Sequence, residues 1–108
     1  MDRESKQAFI RRQALGRRIK WSSHALGEMI PEGLSVGEVE VALQSGEVIE
    51  DYAHAHRYLP DCLVLMYRTK DEPIHAVVAI NEPREYILMV TVYHPNTQEW
   101  QNDWRTRK

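Results

Sequence analysis

Along residues 3–18 the apolar side chains come in pairs, Phe9 with Ile10 and then Ala14 with Leu15, among basic and polar neighbours. Pairs spaced this way line one side of a 3.6-residue helix, and neither Pro nor Gly interrupts before Gly16, so the pattern predicts an N-terminal helix with a thin apolar stripe. Ser22 and Ser23 then offer hydroxyls to the free amides of a first turn. They predict a second, short helix that ends by Pro31 and carries His24 in or beside its first turn. In SVGEVEVALQSG, Ser35 and Glu38 have capping-box spacing, Val36, Val39 and Leu43 fall on one face, and Gly46 stands where a C-terminal glycine cap belongs.

After Gly46 the period shortens to two. EVIEDY alternates, CLVLMYRT and IHAVVAI are apolar and β-rich, and EYILMVTVY is the longest such run. The connectors TKDEP and NEPRE suit hairpins, so the expected sheet is four-stranded and antiparallel. HPNTQEWQNDW leaves that sheet at Pro95 and is expected to form a terminal helical turn carrying Trp100 and Trp104. N-terminal helices followed by a four-stranded antiparallel sheet make an α+β fold.

Composition adds limits. A chain of 108 residues, 43% of them apolar, suits one domain with one core: a basic N-terminal helix or arm over 1–20 and an α+β core over 21–105. The net charge is −2, yet residues 1–20 hold seven cations against Asp2 and Glu4, which is +5 and leaves −7 for the remainder. Arg11, Arg12, Arg17, Arg18 and Lys20 with Trp21 have the footprint of an arm that binds nucleic-acid backbone with a stacking ring, or of one that cradles an acidic protein. Cys62 is the sole cysteine, which excludes an internal disulfide and reads as a small core residue. Residues 1–20 lack a signal-type apolar stretch and no apolar run is long enough to span a membrane, so the expected location is the cytoplasm.

Five histidines, His24, His54, His56, His75 and His94, direct the search for chemistry. His54 and His56 are the one close pair and lie in a loop-like segment, where two exposed histidines are the plainer reading, so neither metal nor cofactor is expected. Metal-free RNA cleavage needs a base for the 2′-hydroxyl, an acid for the leaving 5′-oxygen and cations for the phosphorane charge, and histidine titrates in the right range. His24 at a helix start and His75, the one basic group in an apolar strand, are the acid/base candidates; helix-cap packing and a half-buried, hydrogen-bonded ring are the structural alternatives. Ile87, Met89, Thr91 and Tyr93 share a face by alternation, which puts Thr91 and Tyr93 at a strand end as donors to a phosphate, although both are also simply good strand residues. Arg57 and Arg84, with Arg68, are candidates for clamping phosphate, or solvated charges. Glycine-rich phosphate loops, nucleophile elbows and HExxH are absent.

Taken together, KWSSHALGEM, LSVGEVEVAL, GEVIEDY, YLPDCLVLM, IHAVVAI and ILMVTVYHPNTQEW resemble the domain of unknown function DUF4258, over about residues 20–100. The resemblance implies a small bacterial toxin of the RelE, ParE and barnase-EndoU type, helices before an antiparallel sheet, some encoded beside antitoxin-like zinc proteins. It implies a metal-independent, mRNA-interferase-like endoribonuclease of a toxin–antitoxin system, with His24, His75, Thr91 and Tyr93 as the matching positions beside Trp100, and with RNA and an antitoxin protein as partners. The acidic body and the lack of a lysine-rich face set this chain apart from ribosome-dependent toxins. The rival reading is a non-catalytic interaction module that binds an acidic protein, RNA or a second copy of itself as a homodimer.

Overall fold

The computed structural model describes residues 1–52 and 59–108. Helix α1 (Arg3–Leu15) starts on Asp2, whose carboxylate accepts the Ser5 amide at 2.7 Å, and it stops where Arg17 enters the left-handed region at φ 58°. Helix α2 (Ser23–Glu32) starts on Ser22, whose hydroxyl accepts from the Ala25 amide at 3.0 Å. It runs one residue past Pro31 rather than ending there; the proline lacks the amide that would reach the Gly27 carbonyl, and this near the end the loss is limited to that one bond. Gly33, left-handed at φ 69°, closes the end with the Gly33 and Leu34 amides on the Ile30 and Met29 carbonyls.

Helix α3 (Val36–Leu43) begins on the expected capping box, with the Ser35 hydroxyl accepting from the Glu38 amide and donating to its carboxylate. Gly46 is not the cap, which is Gln44, and it does not adopt a left-handed φ. Its role is spatial. A Cβ there would lie 2.8 Å from Val64 Cγ1 and 3.2 Å from the Leu43 carbonyl, at the point where the chain turns from α3 into the sheet.

Strands β2 (Glu47–Tyr52), β3 (Asp61–Thr69), β4 (Glu72–Asn81) and β5 (Tyr86–Tyr93) pair antiparallel in sequence order. The four-stranded expectation is corrected by a fifth strand, β1 (Ile19–Trp21), which runs parallel to β5 and makes a mixed sheet of order β1-β5-β4-β3-β2. Three residues are too few to show alternation, and the pairing that makes them a strand, Ile19 with Ile87, is remote in sequence.

The alternation of the longer strands divides the core. One face turns Cys62, Val64, Met66, Ile74, Ala76, Val78, Ile80, Ile87, Met89 and Val92 towards the three helices. The other face gathers Ile49, Leu63 and Leu65 around Trp100, with Tyr52, Val77 and Trp104 at its margin. Helix α1 belongs to the first core and is not an arm. It buries Phe9, Ile10 and Ala14, and fastens β2 through Lys6 on Asp51, the Gln7 side chain accepting from the Val48 amide, and Arg11 donating to the Gly46 carbonyl.

Residues 95–108 hold a single helical-type turn, with the Trp100 amide on the Asn96 carbonyl at 3.2 Å, and then only turns and an isolated bridge between Trp100 and Arg107, so the expected helical turn reaches Trp100 and does not continue to Trp104. The reason is local: Asn96 accepts from the Gln98 and Glu99 amides, and Asp103 from those of Arg105 and Thr106, which offers the backbone an alternative to a helix. Among the described residues no helix is long and apolar enough to cross a membrane.

Gly46→Ala forces a Cβ against a stiff, buried valine, and it is expected to destabilise the protein by about 1–3 kcal/mol in urea unfolding. A wild-type midpoint would show that Val64 yields freely.

Candidate functional site

The site grows from the outer edge of β5. Its first half is paired by β1: the Ile87 amide bonds the Arg18 carbonyl at 3.1 Å and the Met89 carbonyl takes the Ser22 amide at 3.0 Å, while the Ser22 hydroxyl reaches the Val90 carbonyl. β1 ends at Trp21, and from there α2 takes over with carboxylates. Glu28 Oε1 accepts the Val92 amide at 2.9 Å and the Thr91 hydroxyl; one turn later, Glu32 Oε1 accepts the His94 amide at 3.3 Å. His24, Glu28 and Glu32 succeed one another at four-residue intervals, so they stand on the same side of α2. With Oε1 occupied, Glu28 turns Oε2 to His24 Nε2 at 3.4 Å. The His24 side chain is 70% exposed, so the imidazole is open to solvent.

His75 is elsewhere. Alternation puts it on the face away from the helices, where it has no exposed surface. Its Nε2 lies 2.7 Å from the Trp104 carbonyl, and since a carbonyl only accepts, that nitrogen carries the proton. Nδ1 has no hydrogen-bond partner among the described residues. Burial holds the ring below its ordinary range, more than the Trp104 carbonyl and Glu50 raise it. Tyr93 is its cross-strand neighbour, edge-on at 5.8 Å, and the same loss of solvent pushes the Tyr93 hydroxyl upward.

A bulge explains this grouping and corrects the expected face. Val77 pairs Thr91 but Val78 pairs Met89, so Val90 is extra and alternation changes phase there. Ile87 and Met89 enter the helix-side core, while Thr91 and Tyr93 turn to the other face. The structure thus brings together His24, Glu28 and Thr91 at the outer edge of β5, and His75, Tyr93 and Trp100 on the second face of the sheet, and it does not bring the two histidines together.

The cations do converge. Arg17, Arg18, Lys20 and Arg84, with Glu85 and Tyr86, line an open cleft of about 430 Å³ at the start of β5. Lys20 lies 4.3 Å from the Tyr86 ring centroid, and Arg18 makes an exposed pair with Glu85 at 3.5 Å. Arg17 and Glu85 both take left-handed backbone angles, φ 58° and 55°, unusual for residues with a Cβ. Trp21 is not in this cleft: it packs against the helix-side core and donates its indole N–H to Glu40 at 2.9 Å, so the expected stacking ring is a structural one. Arg68 is committed to Gly33, Glu38 and Glu72. Arg57, His54 and His56 lie outside the described residues.

His94 stands among the five histidines without a role of its own in the residues, and Glu28, Glu32 and Glu72 were not picked out, although the run His24, Glu28, Glu32 carried the signal. His94 faces Glu32 with Nδ1 at 2.9 Å and Glu72 with Nε2 at 2.8 Å, an arrangement that needs both ring protons. Burial works against that charge, but the bonds to Glu72 and Glu32 outweigh it and raise the pKa; in return His94 and Arg68 lower that of Glu72. Cys62 is fully buried, its thiol pushed up to about 12 by desolvation, and it is a core residue with no nucleophilic character. Among the described residues no group of three or more His, Cys, Asp or Glu is placed to hold a metal ion.

Comparison with protein families gives one match, to a domain of unknown function, DUF4258, over residues 21–94. No curated protein and no solved structure matches the chain.

The two buried or bridged histidines give opposite pH dependences. His94, raised above 6.5, stabilises the fold fully below its unfolded value, and that contribution is lost as pH rises through the folded value. His75, lowered, instead costs stability as pH falls below 6.5. His94→Gln is expected to flatten the decline of the unfolding midpoint as pH rises above 6.5 and to leave the acid side unchanged. An unaltered alkaline slope would remove His94 as its source.

Proposed function

The chain belongs to the DUF4258 family, whose description carries no activity, and from its own site we propose that it is a metal-independent endoribonuclease of the small-toxin, RelE-like type. The observation that carries this reading is the cleft: four cations from two segments remote in sequence meet against one carboxylate, Glu85, in a protein whose net charge is −2. Such a concentration is a site for a polyanion backbone. The cleft opens at Tyr86 and the His24 group stands by Thr91, five residues along β5, or roughly 17 Å at strand rise. A single-stranded RNA of a few nucleotides spans that length.

In this reading His24 takes the proton of a 2′-hydroxyl, the freed oxygen attacks the adjacent phosphorus, and the bond to the 5′-oxygen breaks, that oxygen taking a proton from water. The products are a 2′,3′-cyclic phosphate and a 5′-hydroxyl end. Glu28 faces the imidazolium that forms, and Thr91 with the Val92 amide holds Glu28 in place. Thr91 is therefore a positioning residue. An acidic antitoxin that filled the cleft would block the same contacts, and a lone buried thiol suits the cytoplasm.

One observation favours the second reading, a non-catalytic module for RNA or an acidic protein: His75 is sealed beneath Trp100, so the expected pair of imidazoles is reduced to one that is open. The two readings part on chemistry. His24→Ala is expected to lower cleavage of a labelled single-stranded RNA about a hundredfold with little change in affinity. Lys20→Ala with Arg84→Ala is expected to weaken binding and to lower its salt slope by about two charges. Binding without cleavage by the wild type would select the module, and an unchanged salt slope would remove the cleft.

A further inference from the structure

Residues 95–108 lie beyond the family match, which ends at 94, and form a strap over the second face of the sheet. The strap is stitched to itself, with the Gln101 amide on the Thr106 carbonyl and the Lys108 amide on that of Glu99, both at 2.9 Å. It is held to β2 by two forked ion pairs. Arg105 donates to both oxygens of Glu47 at 2.7 and 3.3 Å, and Arg107 to both of Glu50 at 2.7 and 2.9 Å. Trp100 is the plug. Its ring is 2% exposed, lies edge-on to His75 at 4.4 Å, and is covered by the Arg107 guanidinium at 4.6 Å.

Two features are odd for a mere cover. The plug seals a histidine whose Nδ1 finds no hydrogen bond among the described residues, at a cost an apolar residue would avoid. And Trp104, whose carbonyl holds His75, sits at a left-handed φ of 61°. An unpaired nucleobase has the plug's flat shape and carries several polar groups along its edge, N–H donors among them, whereas the single indole N–H of Trp100 does not bond the open nitrogen. The two guanidiniums bind phosphate as readily as carboxylate.

From this we infer that residues 95–108 are an autoinhibitory strap, and that the slot beneath Trp100, with His75 and Tyr93 at its floor, takes an unpaired base of single-stranded RNA when the strap lifts. The inference rests on the nuclease reading and adds its regulation. Arg105 and Arg107 then pass from Glu47 and Glu50 to phosphates, and His75 joins the end of β5 on which Thr91 and Glu28 present His24.

The test is Glu47→Gln with Glu50→Gln, which weakens the latch while keeping both arginines. Arg105→Lys with Arg107→Lys weakens it from the strap's side at constant charge, should the first variant fail to fold. Modification of His75 by diethyl pyrocarbonate, located by mass spectrometry, and cleavage of a labelled single-stranded RNA are measured on the full chain. The expected result is a rise of about tenfold in both rates, within the usual range of coupling between sites. If His75 stays as protected as in the wild type, the latch is not what holds the strap. If His75 becomes reactive while cleavage does not rise, and the wild type still cuts through His24, the strap is a structural cover and the nuclease reading stands without it. Absence of cleavage in every form overturns both.

Discussion

A strand at the margin of a sheet exposes every second N–H and C=O, and leaving such a group buried without a partner costs about 1–3 kcal/mol. Strand β5 is flanked on its outer side by β1 for three residues and, among the described residues, by no strand afterwards. The chain meets the remaining need with α2: Ser22 for Met89 and Val90, Glu28 for Val92, Glu32 for His94. This requirement fixes where α2 lies and how it is rotated. His24, one turn before Glu28, is placed beside Thr91 as a consequence, so the same carboxylate that completes the sheet also faces the exposed imidazole.

The second organising feature is the extra residue at Val90. Without it, Ile87, Met89, Thr91 and Tyr93 would share one face, and two polar side chains would enter the core with the helices. The bulge lets the first pair remain apolar and buried and sends the second to the opposite face, where Tyr93 meets His75 under Trp100. That face is closed by a segment with little regular structure, held by arginine–glutamate forks at its outer side and by one indole at its centre. The molecule therefore has a firm core between helices and sheet and a thinner one beneath the strap.

Elements whose signals are local were legible in the residues. The α3 capping box, the four long strands and the buried, inert Cys62 follow from spacing and polarity over a few positions. Features set by distant partners were not. Ile19–Trp21 is a strand because Ile87–Met89 lies beside it; Trp21 faces Glu40 because alternation in that strand points Lys20 outward; the Val90 bulge leaves no mark in a run of β-formers. Of the candidate site, Arg17, Arg18, Lys20 and Arg84 were named separately, and only folding joins them. Alternation along β4 sets His75 opposite Ile74 and Ala76, but nothing local indicates that Trp100 would cover it. Glu28 was within reach, four residues after His24 on one helix side, yet its significance depends on Val92, whose open amide is a property of the sheet.

The central proposal is that the imidazole held at the edge of β5 acts on an RNA backbone without a metal. The most direct measurement is the nature of the ends produced from a defined single-stranded RNA by the purified wild-type chain in excess chelator. Fragments ending in a 2′,3′-cyclic phosphate and beginning with a 5′-hydroxyl are the predicted result. Intact RNA, or ends carrying a 5′-phosphate, would contradict it.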